Sequence, residues 1–201
     1  MTSGQIHYYN LDEWWETTFT PDEQSYIRSK YGNSIDRGDD FLPPRSPLEF
    51  LGTLASWFTK DEERSLAYRM LDCAEAFFDA ETSALEKHFY LQNCIELNYR
   101  GRSDADSRLH QAIQACERQI QIAPQAAKAF RDEYPYDDGL PAHVGYKQLC
   151  IILHGDQTER AIVLAREAFD AGWAGDWERR ITRMSKSTKA EQDAAGNPLP
   201  L

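Results

Sequence analysis

Apolar side chains recur along most of this chain at the three- and four-residue spacing of an α-helix, with polar residues between them. The clearest stripe lies between residues 60 and 80. It consists of Leu66, Met70, Cys73, Ala74, Phe77 and Phe78. No segment sustains the two-residue alternation of a half-buried strand, so the pattern predicts an all-α protein.

Helix starts are marked by paired polar residues. Thr20, Ser46 and Thr59 each precede a Glu by three residues, which is the spacing of a capping box, and Pro21 and Pro47 supply a preset backbone angle at the first helical position. The pattern predicts helices at 21–31, 47–58 and 60–80, and a Gly-, Asp- and Pro-rich linker at 32–45.

The second half of the chain has the pattern of helical hairpins. Turn residues at 100–104 and 136–139 separate apolar-periodic segments, and Gly172 is placed to end the last long one. The first predicted helix runs from 83 to about 99, and the second runs from the turn at 100–104 to 122. Further helices are predicted at 124–134, 141–154 and 157–171, and a last short helix begins at Asp176. We expect three regions: an acidic helical segment with its linker at 1–45, a helical array at 46–186 and a frayed polar tail at 187–201.

The two hairpins resemble tetratricopeptide repeats, in degenerate form, and the chain is similar to uncharacterised bacterial proteins with such repeats. The matching small residues and the following proline are Ala112, Cys116 and Pro124 in the first hairpin and Ala161, Ala165 and Ala168 in the second. The turn within the first hairpin is longer than in tetratricopeptide repeats, and the turn within the second hairpin is shorter. The resemblance implies an α-solenoid of hairpins behind an N-terminal helical region, with a groove lined by first helices that binds a protein or peptide.

This resemblance also identifies candidate binding residues. In the first helix of the second hairpin, Tyr146, Leu149, Cys150 and Leu153 would face the core. The groove would then be lined by Tyr90, Asn93, Arg100, His143, Lys147 and His154. A solvated helix face is the plainer interpretation of the three residues from the second hairpin.

Composition narrows the classes of function. The formal charge of −11 disfavours direct binding to nucleic acid, and no apolar run is long enough for a membrane span. Without a leader-like start we expect a cytoplasmic protein, and its four cysteines occur singly. No catalytic, phosphate-binding or metal motif is present, so we expect a scaffold-like binding protein rather than an enzyme, with no metal and no cofactor.

Two alternatives stay open beside the binding module, as does the formation of homo-oligomers. The charge of −11 is also typical of an acidic decoy that inhibits a basic, nucleic-acid-binding protein. An enzyme could assemble its site between the N-terminal helices and the hairpins, with His88, His110 or His143 as the titrating group.

Overall fold

A computed structural model describes residues 3–38, 42–135 and 139–195 and is mostly helical, which confirms the all-α expectation. The chain divides into two compact units, Met1–Asn93 and Cys94–Leu201. The helices that begin in the first unit are α1 (Gly4–Tyr8), α2 (Asp12–Thr18), α3 (Pro21–Tyr31), α4 (Pro47–Ser56), α5 (Arg64–Glu75) and α6 (Ala84–Arg100), with a 3₁₀ helix at Asn33–Ile35.

Two of the three expected caps are present in the first unit. Thr20 accepts the Glu23 amide while the Glu23 carboxylate accepts the Thr20 amide, which completes the capping box of α3. Ser46 accepts the amide of Glu49 at the start of α4. Side-chain oxygens thereby satisfy amides that have no partner within the helix.

The prediction of a capping box at Thr59 is wrong. Residues 60–63 form a turn, and α5 begins only at Arg64, without a side-chain cap. The predicted helix at 60–80 is therefore shorter at both ends. Arg64 forms an ion pair with Asp61 across this turn, at 2.6 Å, so local charge rather than a hydroxyl cap organises the segment.

The N-terminal helices pack on α4 and α5 rather than forming a segment of their own. The Tyr9 ring stacks on Phe50, with 5.5 Å between centroids, and Arg69 of α5 pairs with Glu23 of α3 at 2.5 Å. Helices α1 to α3 thus share a core with α4 and α5 within the unit Met1–Asn93. The division into regions 1–45, 46–186 and 187–201 stays a prediction.

The second unit contains the end of α6 and a series of packed helices. These are α7 (Asp106–Gln121), α8 (Ala123–Glu133), α9 (Val144–Leu153), α10 (Thr158–Asp170) and α11 (Trp177–Ala195). Helix α9 packs on α7 and on α10, and α11 packs on α10. Gly172 follows α10 with φ of 84°, a left-handed conformation that favours glycine and ends the helix as expected.

Two short strands accompany these helices, contrary to the expectation of none. Strand β1 (Leu140–Ala142) pairs in parallel with β2 (Trp173–Ala174), in the register Leu140 with Trp173. The expected helix start at Pro141 is wrong because this residue belongs to β1. Helix α9 begins three residues later.

Helix α11 is longer than the short final helix predicted from the sequence, since it continues to Ala195. Most of the expected frayed tail at 187–201 is therefore helical, and residues 196–201 lie outside the described part. Among the described residues, none of the helices combines the length and apolar content needed to cross a membrane.

Candidate functional site

Two of the six expected groove residues, Tyr90 and Asn93, serve the packing of the first unit. Tyr90 is only 3% exposed, and its hydroxyl donates to the Leu71 carbonyl and the Glu75 carboxylate at 3.2 and 2.9 Å. The half-buried Asn93 donates its amide to the Gly52 carbonyl at 2.9 Å. These side chains tie α6 to α4 and α5, and Tyr90 lacks the exposure that a groove residue needs.

His143 is fully buried, so it also lacks the exposure expected of it. Because α9 begins at Val144, His143 is the residue before the helix, and its Nδ1 accepts the amide of Tyr146 at 3.3 Å. Its ring lies 4.6 Å from the ring of Trp173 and 4.8 Å from that of Tyr146, measured between centroids. His143 therefore caps α9 from inside the core.

Lys147 and His154 are exposed on one side of α9, as expected, and Ile151 lies between them with 40% of its surface exposed. The three positions follow the spacing i, i+4 and i+7, which places them on one helix face. We call this set the α9 face. Neither Lys147 nor His154 forms an ion pair with any residue that the structure describes.

The opposite side of α9 fits the sequence expectation in full. Tyr146, Leu149, Cys150 and Leu153 are all buried. Sequence reasoning missed Ile151, although its spacing from Lys147 and His154 was readable, because a large apolar residue is normally assigned to the core. Arg100, the sixth expected residue, is exposed at the end of α6.

Helix α9 is held firmly from behind by specific bonds. The amide of Gly145 donates to the Gln119 side chain of α7 at 2.6 Å, and the Cys150 thiol contacts the Ala161 carbonyl of α10 at 3.3 Å. Arg160 of α10 pairs with Glu117 of α7 at 2.8 Å, linking the two helices on which α9 rests. The α9 face is thus presented by a fixed three-helix layer.

The first unit carries a second feature that the sequence does not reveal. A cavity of about 300 Å³ lies between α3 and the start of α5. Its lining, which we call the acidic pocket, consists of Asp22, Glu23, Tyr26, Glu62, Glu63, Ser65 and Leu66. No motif predicts it, since its carboxylates come from segments about 40 residues apart.

Two of the four carboxylates in the acidic pocket already have cationic partners. Lys30 bonds to Glu63 at 2.5 Å, and the Tyr26 hydroxyl donates to the same carboxylate. Burial acts most strongly on Glu63 and would raise its pKa, yet these bonds and the charge of Lys30 hold that pKa below its ordinary value. Likewise, the hydrogen bond from Arg69 lowers the pKa of Glu23.

The other two carboxylates of the acidic pocket, those of Asp22 and Glu62, are exposed. Among the described residues, neither has a hydrogen-bond or ion-pair partner for its carboxylate. The pocket therefore carries two uncompensated negative charges beside the 43% exposed ring of Tyr26. This arrangement can accept a cationic group.

Several other titratable side chains have pKa values that are shifted by burial. Burial lowers the pKa of His88 to about 4 and raises the pKa of the Cys116 thiol to about 12, so at neutral pH the imidazole is neutral and the thiol is protonated. Burial also raises the pKa values of Cys73 and Cys150, each to about 11. In the described part of the chain, no group of three His, Cys, Asp or Glu side chains could hold a metal ion.

Comparison with known proteins adds no functional assignment. No protein-family model matches this chain, and searches of curated proteins and of solved structures give no match. The two candidate sites are the α9 face in the second unit and the acidic pocket in the first. Both are supported by their geometry alone.

Proposed function

We propose that this protein is a non-catalytic binding module whose partner docks on the α9 face. The observation that carries the proposal is the exposure of Ile151 between Lys147 and His154 on a helix that is otherwise largely apolar. An apolar residue flanked by unpaired polar groups on a rigid helix is a typical anchor for a protein partner.

The spacing of the α9 face defines the chemistry of this partner. His154 lies seven positions after Lys147, just beyond the last residue of α9, which corresponds to roughly 10 Å along the helix axis. The complementary segment carries an apolar side chain for Ile151 and a carboxylate on either side of it. Lys147 supplies a positive charge, and the His154 imidazole can donate a hydrogen bond to a carboxylate in either protonation state.

The size of these contacts indicates a weak, reversible interaction. Completing the burial of Ile151 contributes about 1–2 kcal/mol, and each exposed charged contact adds at most about 1 kcal/mol. Micromolar affinity needs about 8 kcal/mol, so a tightly bound partner would also have to cover adjoining surfaces of the unit. The α9 face sets the position and orientation of the partner rather than supplying all of its affinity.

The packing order in the second unit supports this choice of surface. Contacts run from α7 to α9, from α9 to α10 and from α10 to α11, as in hairpins stacked side by side. Ala112, Cys116, Ala161, Ala165 and Ala168, the small residues behind the resemblance to tetratricopeptide repeats, are buried. In such an array α9 is a first helix, and first helices line the binding surface.

A defined peptide tests the proposal. The probe is a fluorescein-labelled helical peptide in which two Glu residues, seven positions apart, flank Leu on one face. Fluorescence polarisation, with the full chain titrated up to about millimolar concentration, should show weak binding that falls at least about tenfold for Ile151→Asp and about three- to fivefold for Lys147→Ala.

Matched controls come from the outer surface of α10. Val163 is 51% exposed and Arg166 is exposed, so Val163→Asp and Arg166→Ala likewise replace an exposed aliphatic residue by Asp and an exposed cation by Ala, away from the α9 face. Neither control should weaken binding by more than about twofold. Equal losses in both pairs of variants, or equal binding of a peptide with Gln in place of Glu, would contradict the proposal.

A further inference from the structure

The negative charge of this protein is concentrated in one unit. Residues 1–93 contain 17 acidic and eight basic residues, a formal charge of −9, whereas residues 94–201 contain 16 acidic and 14 basic residues, a charge of −2. The second unit also has a locally basic surface. This asymmetry allows complementary contacts between copies even though the whole chain is acidic.

The basic surface lies on α11. Arg179, Arg183 and Lys186 are exposed and follow the spacing i, i+4 and i+7, so they share one face of the helix. We call this set the α11 basic face. The other side of α11 is anchored in the unit by Trp177 and Met184, which are both buried.

The three cations of the α11 basic face have no ion-pair partner in the described part of the chain, although the charge of Arg179 adds to the hydrogen bond from Arg180 in lowering the pKa of Asp176. None of them makes a hydrogen bond or an ion pair with a residue in the described ranges, while the neighbouring Arg180 pairs with Asp176 at 2.5 Å. Like charges one helical turn apart repel each other and destabilise a helix. An anionic surface placed against this face would remove that repulsion.

An acidic protein surface suits this face better than nucleic acid does. The formal charge of −11 on the whole chain repels a polyanion, and three cations give only a small gain from counterion release. The acidic pocket offers a matching local surface, with Asp22 and Glu62 unpaired at an opening into which a long cationic side chain fits. The exposed Tyr26 ring can also stack against a guanidinium group.

We infer that copies of this protein associate by docking the α11 basic face of one copy against the acidic pocket of another, with an arginine side chain entering the pocket. The contact is heterologous because the two surfaces differ. Charges far from the contact are screened beyond about 8 Å at physiological ionic strength, whereas charges in direct contact are screened much less.

Sedimentation velocity of the full chain tests this inference. The wild type should show a weight-average sedimentation coefficient that rises with protein concentration in about 0.1 M salt and rises much less in about 0.5 M salt. Two charge-reversal variants, Arg179→Glu/Arg183→Glu/Lys186→Glu and Asp22→Lys/Glu62→Lys, should each remain monomeric alone. An equimolar mixture of the two should associate again, since each variant then presents a surface complementary to one on the other.

A control separates this contact from a general effect of charge. Lys128→Glu/Arg131→Glu/Arg166→Glu makes the same change in net charge on exposed residues outside α11 and should associate like the wild type. Circular dichroism verifies that each variant is folded, and the single change Arg183→Glu replaces the triple variant if helix content is lost. A monomeric wild type, unaffected reversal variants or a mixture that stays monomeric would each overturn the inference.

Discussion

The buried ion pair beneath the acidic pocket yields a prediction whose sign and size follow from the structure. Glu63 is 2% exposed, and its carboxylate receives bonds from Lys30 and Tyr26. Lys30→Met keeps the length of the side chain but removes its charge. The Glu63 carboxylate would then be buried with the Tyr26 hydroxyl as its remaining side-chain donor.

The expected loss is about 2 kcal/mol of unfolding free energy at neutral pH. Removing one partner from a fully buried ion pair costs about 3–5 kcal/mol, and losing a hydrogen bond to a charged group costs about 1.5–3 kcal/mol. The lower range applies because Lys30 is 27% exposed and the bond from Tyr26 remains. Urea unfolding followed by circular dichroism measures the difference.

The pH dependence of this loss has a definite sign. In the wild type the pKa of Glu63 is lowered, so its stabilising contribution is present above the ordinary glutamate pKa and is lost as the pH falls below it. In Lys30→Met, the bond and charge of the lysine no longer oppose the effect of burial, so the pKa of Glu63 lies above its wild-type value and protonation of Glu63 relieves the variant at a higher pH. The gap between the two proteins should therefore shrink as the pH falls from 7 towards about 4.

Lys60→Met is the control, because Lys60 is an exposed lysine close to the same turn. It should change the unfolding free energy by less than about 0.5 kcal/mol. The double variant Lys30→Met/Glu63→Gln should recover part of the loss, since it no longer buries an unpaired charge. A loss below about 0.5 kcal/mol for Lys30→Met, or one that grows at acidic pH, would refute this reasoning.

Three further predictions concern buried positions and are measured by urea unfolding. His143→Ala removes the cap of α9 and a fully buried ring, and should cost about 2–4 kcal/mol. Gly145→Ala would place a Cβ 2.7 Å from the Gln119 oxygen and should cost about 1–3 kcal/mol, whereas Gly52→Ala, where a Cβ meets nothing closer than 3.6 Å, should be neutral or stabilising by up to about 1 kcal/mol. Because burial lowers the pKa of His88 from 6.5 to about 4, its neutral form is favoured in the folded state, and up to about 3 kcal/mol of stability should be lost as the pH falls through that window.

Each of these predictions has a contrary result. A neutral His143→Ala would mean that the ring does not support α9. Equal effects at Gly145 and Gly52 would contradict the close packing of α7 on α9. If His88→Gln retained the wild-type loss of stability between pH 6.5 and 4, another group would be responsible for it.

Local sequence signals predicted much of the helix pattern because their physical causes are themselves local. The hydroxyl and carboxylate around Thr20 satisfy amides within the same turn, and Gly172 adopts a conformation that other residues avoid. Such signals failed at Thr59, where Glu62 and Glu63 turn to the acidic pocket instead of capping α5. There the local Arg64–Asp61 ion pair and the long-range Lys30–Glu63 ion pair stand in place of the hydroxyl cap.

The candidate sites were less predictable, because exposure depends on where a helix begins and on what packs against it. A shift of the α9 start from Pro141 to Val144 turned His143 from an expected surface residue into an internal cap. Lys147 and His154 kept their expected exposure, since Lys147 lies inside α9 and His154 directly follows its last residue. The acidic pocket joins residues that only tertiary packing brings together.

Two-dimensional amide NMR of the isotope-labelled protein, titrated with the Glu-flanked peptide, shows whether the α9 face binds a partner. The largest shift changes should fall on Lys147, Ile151 and His154, and Ile151→Asp should remove them. Changes centred instead on the outer surface of α10, or no changes at millimolar peptide, would contradict binding at the α9 face.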